Sequence, residues 1–211
     1  TYAQPPMMGW ASWNANGTDI NETLIKQTAN YMVSLGLKSA GYNYVNIDDG
    51  YFGGRDANGN LQYNSNFPNG MKSVADYIHS KELLAGIYSD MGSNTCSMLY
   101  GNYGDKGKGV GLYGHESQDL NLFFNTWGYD YIKVDYCGGQ QQGLDPKVTY
   151  TNVSNLIKNL ETTLGRDITY NVCRWTFPGT RVTSVADSWR MHGDITNTYS
   201  SIKPIIEDNL Y

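Results

Sequence analysis

The stretch Tyr129-Asp130-Tyr131-Ile132-Lys133-Val134-Asp135-Tyr136-Cys137 carries the pattern from which the fold is read. Side chains alternate along a strand, so Lys133, Asp135 and Cys137 share one face while Ile132 and Val134 share the other. Ile132 and Val134 suit a layer beneath helices. The face with Lys133 and Asp135 then points into the mouth of a closed sheet. A Lys and a carboxylate two residues apart on a buried face neutralise each other, and Lys133 is expected to keep Asp135 ionised.

Five more short apolar runs surround this one, at residues 8–13, 42–47, 84–89, 168–173 and 188–191. Amphipathic stretches separate them. Over residues 21–35, Leu24, Ile25, Ala29, Met32, Val33 and Leu35 approximate a period of about 3.6, which predicts a helix. Further helices are predicted at 71–81 and 118–127, and from Asp145-Pro146, an N-cap with a first-turn proline, to about residue 164. Strands alternating with helices give an α/β protein with a parallel sheet.

Two architectures satisfy that alternation, the open doubly wound sheet and the closed (β/α)8 barrel. The first usually carries a Gly-rich phosphate turn after its opening strand, and neither G-x-G-x-x-G nor a P-loop occurs. Residues 101–111 are rich in glycine but follow no strand directly, and they read as a flexible insertion. Acidic residues instead close three of the strand-like runs, as Asp49, Asp90 and Asp135, and Asp194 lies just beyond the sixth. Barrel enzymes gather their catalytic residues at such strand ends. A full barrel takes about 250 residues, whereas 211 residues hold six strand–helix units. The expectation is a TIM-type barrel truncated after about six units, with open edges that another chain or a missing segment would pair.

Composition narrows the functional classes. No apolar run approaches the roughly 18 residues that cross a bilayer, and the net charge of −5 comes without basic clusters. Both argue against membrane and nucleic-acid partners. Eighteen Tyr and five Trp stand against only five Phe. Such amphipathic rings pack on the apolar faces of sugars, although a Tyr-rich core and surface would look the same. Three Cys leave an odd thiol if two of them pair. Sequons begin at Asn16, Asn21 and Asn152, and such short motifs arise often by chance.

An ionised Asp135 in a dry pocket is what a glycosidase nucleophile needs; a buried ion pair without chemistry is the alternative. A second carboxylate should come from another strand end. In Trp189-Arg190-Met191-His192-Gly193-Asp194, alternation can place Arg190, His192 and Asp194 on one face. There Asp194 can serve as proton donor and Arg190 as a fork of donors to sugar hydroxyls. Asp194 also reads as a helix N-cap. Asp48 and Asp49 repel one another and persist together where ligand hydroxyls, cations or main-chain donors satisfy them. No second carboxylate or His cluster lies near them in sequence, so metal is not expected. Trp10 and Trp13 are a sugar platform or ordinary core.

Taken together these segments resemble the melibiase-type α-galactosidases, glycoside hydrolase family 27. Pro6-Met7-Met8-Gly9-Trp10-Ala11-Ser12-Trp13 looks like the family's M-G-W-x-x-W opening. Gly41-Tyr42-Asn43-Tyr44-Val45-Asn46-Ile47-Asp48-Asp49 is similar to its second strand, and Gly86-Ile87-Tyr88-Ser89-Asp90 with Thr95-Cys96 to its third. His115-Glu116-Ser117-Gln118-Asp119, Trp127-Gly128 and Trp189-Arg190 through Gly193-Asp194-Ile195 follow in the family's order. The resemblance implies a retaining glycoside hydrolase that removes terminal α-linked galactose from an oligosaccharide or glycoconjugate, without a cofactor. Asp135 then stands at the nucleophile position and Asp194 at the acid/base position. Trp13, Asp48, Asp49, Tyr88, Lys133, Trp175 and Arg190 stand where the family holds the sugar. It further implies a Cys96–Cys137 bridge, hence an oxidising compartment, secreted or periplasmic, with Cys173 left as a buried thiol. Residues 1–211 would be the incomplete catalytic barrel, without the family's C-terminal β-domain. Arg174-Trp175-Thr176-Phe177-Pro178-Gly179 departs from the family's usual Glu or Gln before Trp. That leaves α-N-acetylgalactosaminidase, or another specificity of the family, as the alternative; an inactive carbohydrate-binding fragment is a second one.

Overall fold

A computed structural model describes residues 7–100, 103–176 and 178–208. Its strands are β1 (Gly9–Ala11), β2 (Tyr44–Asn46), β3 (Phe52–Arg55), β4 (Leu61–Tyr63), β5 (Leu84–Asp90), β6 (Tyr131–Asp135), β7 (Thr169–Val172) and β8 (Ser188–Trp189). The main sheet runs β1-β2-β5-β6-β7-β8, with every neighbouring pair parallel. All six strand ends therefore face one rim. This is six strands of a (β/α)8 barrel, and β1 and β8 form its edges, not paired to each other among the described residues.

The helices, in chain order, are α1 (Trp13–Asn16), α2 (Glu22–Ser34), α3 (Gly70–Ser80), α4 (Cys96–Leu99), α5 (Glu116–Asn121), α6 (Cys137–Gln141), α7 (Pro146–Leu164) and α8 (Tyr199–Asp208). Ile25, Ala29 and Met32 of α2, Val74, Ala75 and Ile78 of α3, and Val153 and Ile157 of α7 are buried on the outer face of the sheet. They belong to one core with Val45, Ile87, Ile132, Val134 and Val172, the outward-facing strand residues. Burial of each such side chain contributes about 1.5–3 kcal/mol. The expected Asp145 cap is present, and Asn21 caps α2 in the same way. The Asn21 Oδ1 accepts from the Leu24 N–H at 2.8 Å, and Asp145 accepts from the Lys147 N–H at 2.7 Å. Gly165, at φ 65°, ends α7 in the left-handed region.

Three segments differ from the sequence reading. The helix expected over 118–127 is α5 followed by a π turn at Leu122–Thr126, closed by the Trp127 N–H on the Leu122 carbonyl at 2.8 Å. The wider turn carries the adjacent Phe123 and Phe124 into the core together. The antiparallel β3–β4 hairpin was not anticipated. Its turn is built on Asp56, whose Oδ1 accepts from the Asn58 and Asn60 N–H groups, both at 2.9 Å.

The third difference is the Gly-rich insertion. Gly101 and Asn102 lie outside the described residues, and the remainder is anchored instead of flexible. The Thr95 N–H donates to the Gly107 carbonyl at 2.8 Å and the Leu112 N–H to the Asp90 carbonyl at 2.9 Å. Arg55 donates to the carbonyls of Gly109 at 3.0 Å and Gly111 at 2.9 Å. Its guanidinium is itself fixed by a two-point pair with the buried Asp119, at 2.8 and 2.5 Å.

Candidate active site

One cavity of about 420 Å³ opens on the rim at the strand ends. Lys133 and Asp135 of β6 and Tyr88 of β5 line it, with Asp48 and Asp49 just past β2. Trp13 follows β1, Trp175 follows β7, and Arg190 and Asp194 follow β8. The structure thus brings together Trp13, Asp48, Asp49, Tyr88, Lys133, Asp135, Trp175, Arg190 and Asp194; Trp10, the other candidate platform, is not among the lining residues and packs against the core. Alternation is the reason: Lys133 and Asp135 face inward while Ile132 and Val134 are fully buried in the outer core.

Lys133 is paired with Asp135, as expected, and also with a second carboxylate. Its Nζ donates to Asp48 Oδ2 at 2.8 Å and lies 3.7 Å from Asp135 Oδ2, 5.2 Å over the Tyr88 ring. Asp48 is therefore its hydrogen-bonded partner, and Asp135 feels only its charge. Burial pushes the Asp135 carboxyl above the usual carboxylate range, with Lys133 opposing that push. Lys133 thus acts on Asp135 in the expected direction, toward the ionised form, against a larger opposing effect of desolvation.

The adjacent acidic pair survives through a cation and main-chain donors. Asp48 takes Lys133 and the Asp49 N–H at 2.8 Å, and Asp49 takes the Ser97 N–H at 3.0 Å. Burial pushes the Asp49 carboxyl up to about 6. Its Oδ1 is buried without a hydrogen-bond partner among the described residues.

Behind Asp135 sits Asp90, a fully buried hub that sequence reading left without a role. Its Oδ1 accepts from the N–H groups of Gly92, Gly138 and Gly139, and its Oδ2 from that of Cys137, at 2.8 to 3.2 Å. Burial and the nearby Asp135 charge push its carboxyl up to about 8, against four donors that favour the ionised form. The approach is too close for side chains: a Cβ on Gly92 would meet the Gly138 carbonyl carbon at 2.1 Å. Beside this hub Cys96 and Cys137 are bridged, Cα atoms 5.1 Å apart, and Cys173 is a buried free thiol. Burial, with Asp135 adjacent, pushes that thiol up to about 12.

Asp194 is the most open member. Its Oδ1 lies 2.7 Å from the Arg190 guanidinium and its side chain is 55% exposed. Arg190 also donates to the His192 carbonyl at 2.6 Å, while the His192 ring turns toward Asp208, 3.3 Å away. No helix starts at Ile195, so Asp194 is not an N-cap. Trp175 faces Tyr100 with ring centroids 6.4 Å apart, whereas Arg174 stacks on the Tyr136 ring at 5.4 Å, outside the cavity. Sequence reasoning missed Tyr100 and Gln140, which also line the cavity. The Gln140-Gln141-Gln142 run one turn past Asp135 was a legible signal for the second; nothing marked the first.

Carboxylates from separate strand ends, set with aromatic rings around one cavity at the rim of a parallel sheet, are the arrangement of the catalytic face of (β/α)8 enzymes. Comparison with known proteins makes that specific: the chain belongs to the Melibiase_2 family, described as alpha galactosidase A, matching it over residues 5–210. It is 42% identical to alpha-galactosidase 2 of Arabidopsis thaliana over 98% of its own length and 49% of that protein. It is 41% identical to alpha-galactosidase A of Cellvibrio japonicus, over 92% of its own length and 44% of that protein. The crystal structure of alpha-galactosidase I from Mortierella vinacea superposes with a TM-score of 0.78 at 35% identity, covering 94% of this chain and 48% of that one. The α-galactosidase from Saccharomyces cerevisiae, solved with raffinose, superposes with a TM-score of 0.77 at 35% identity, over 92% of this chain and 41% of that one. The chain spans about half the length of the curated relatives it matches.

Proposed function

We propose that this chain carries the catalytic carboxylates of a retaining α-galactosidase acting on terminal α-galactosides. The observation that supports it best is Asp135 at the floor of a cavity whose open side bears a second carboxylate, Asp194, from a different strand end. In this reading Asp135 attacks the anomeric carbon and displaces the leaving oxygen, to which Asp194 gives a proton. The glycosyl–Asp135 ester is then hydrolysed by water that gives a proton back to Asp194. Retention requires the two carboxyls about 5–5.5 Å apart in the working site.

The remaining residues hold the sugar. Asp48 and Lys133, already paired, present acceptor and donor to adjacent hydroxyls. The unpartnered Asp49 Oδ1 is completed by a hydroxyl donor, since a buried acceptor left unmet costs about 1–3 kcal/mol. Trp13, Tyr88 and Trp175 supply apolar ring faces, and Arg190 orients Asp194. The edges at β1 and β8 are where another chain or a further segment would pair, and the Cys96–Cys137 bridge fits an oxidising, secreted or periplasmic setting. Among the described residues no helix is long and apolar enough to cross a membrane.

The test is hydrolysis of an aryl α-galactoside by a form of the protein that includes these residues, with the product anomer followed by NMR. First-formed α-galactose supports the reading, and β-galactose excludes it. Faster turnover of the aryl N-acetyl-α-galactosaminide would shift the specificity instead.

A further inference from the structure

The Cys96–Cys137 bridge does not stand alone. The Sγ atoms of Cys96 and Cys137 and one carboxylate oxygen each from Asp90 and Asp135 all lie within 4.8 Å of one another. Asp90, Asp135 and Cys137 are buried, and Cys96 is half-buried where it lines the cavity. We infer that, once the bridge is reduced, Cys96, Cys137, Asp90 and Asp135 form a binding site for a thiophilic divalent cation such as zinc.

The donor chemistry fits. Two thiolates and two carboxylate oxygens make a four-donor set of the kind tetrahedral zinc accepts, with about 2.3 Å to sulfur and about 2.0 Å to oxygen. Those lengths put sulfur and oxygen roughly 3.5 Å apart across a tetrahedral ion; Cys96 Sγ and Asp90 Oδ2 are 3.8 Å apart. Asp90 Oδ2 takes a single N–H, from Cys137, and keeps a lone pair free. Asp135 Oδ1 takes the Tyr136 N–H at 3.1 Å, and its other oxygen lies 3.7 Å from the Lys133 ammonium, with the Cys173 thiol also beside the carboxylate. The backbone amides that hold the Asp90 carboxylate are the kind of outer donors that orient a metal ligand, while the two sulfurs move apart once the bond between them is broken.

Reduction is the gate. A tertiary phosphine reaching the cavity attacks Sγ of Cys96, and the S–S bond breaks with its electron pair leaving on Cys137. Water delivers oxygen to phosphorus, the phosphine becomes its oxide, and the two protons of that water end on the two sulfurs. The cation then displaces both thiol protons. While the bridge is intact neither sulfur is a thiolate and the site is closed. The cation would also hold Asp135, so in the glycosidase reading it is an inhibitor conditional on reduction. The site itself does not depend on that reading.

The test uses this chain, reduced with a tertiary phosphine under anaerobic conditions, with cobalt(II) as the probe and circular dichroism to follow the fold. The expected result is the intense visible absorption of tetrahedral cobalt–thiolate, formed at one equivalent, bleached by zinc and absent from the oxidised chain. Asp135→Asn should keep the fold and weaken cobalt binding at least tenfold, while Cys96→Ser with Cys137→Ser should abolish the band. Four results would overturn the inference: no band, a weak octahedral spectrum, unchanged affinity in Asp135→Asn, or loss of the fold on reduction. None of these involves a sugar, so failure here is separable from failure of the glycosidase reading.

Discussion

Replacing Lys133 by Met removes the charge shared by Asp48 and Asp135 while keeping a side chain of similar length. All three groups are largely buried, with side-chain exposures of 18%, 6% and 7%. At 2.8 and 3.7 Å, and an effective dielectric constant of about 20, the gross attractions are about 6 and about 4.5 kcal/mol. Desolvation of the ammonium cancels part of this, and removing one partner of a buried pair typically costs about 3–5 kcal/mol. That is a large share of the roughly 5–15 kcal/mol that holds a domain folded. The deficit must depend on pH. With Lys133 gone, the already raised Asp135 carboxyl rises further. A raised carboxyl favours the folded state below its unfolded value, about 3.9, and that advantage is lost as pH rises through the folded value. Lys133→Met should therefore lose about 3–5 kcal/mol in urea unfolding at neutral pH, and clearly less near pH about 4. A deficit under about 1 kcal/mol at neutral pH, or one equal at both pH values, would refute the shared-cation argument.

Asp90→Asn presents an amide where four N–H groups need acceptors, and urea unfolding should show a loss of about 3 kcal/mol, set by buried donors left unmet. Arg55→Met strands the buried Asp119 carboxylate and should cost about 3–5 kcal/mol; limited proteolysis should then cut within residues 103–111, released from Arg55. In an active form of the protein, the acid limb of kcat/KM should follow Asp135. Because burial raises that carboxyl, activity should fall at a pH above the ordinary Asp value of about 3.9, and an acid limb at or below it would contradict the burial argument.

The barrel was legible because its signals are local. Val45, Ile47, Ile132, Val134 and the acidic residues that follow them alternate with period two, and Asp145-Pro146 starts its helix by chemistry confined to two residues. The clustering of Asp48, Lys133, Asp135 and Arg190 follows from the same alternation once the strands are parallel. What stayed hidden depends on long-range partners. Lys133 hydrogen-bonds to Asp48, 85 residues away, and not to Asp135, a partner that follows a strand two places along the sheet. The Gly-rich insertion looked loose because its anchor, Arg55, is distant and its bonds are to carbonyls, which any sequence has. The β3–β4 hairpin was readable, since Asp56-Ala57-Asn58-Gly59 carries a strong turn signal, but period-two apolar runs are too short there to register. Asp90 was seen only as a strand end; its role as the acceptor for the first N–H groups of α6, those of Cys137, Gly138 and Gly139, needs the third dimension.

The central claim is that Asp135 becomes covalently bonded to the sugar. An activated fluoro-galactosyl substrate, which forms the ester quickly and releases it slowly, should stop turnover in an active form of the protein. Peptide mass spectrometry should then find one galactosyl-derived adduct, on the peptide containing Asp135, and none in Asp135→Asn. Inactivation with the label on another carboxylate, or steady turnover with no adduct, would contradict the account.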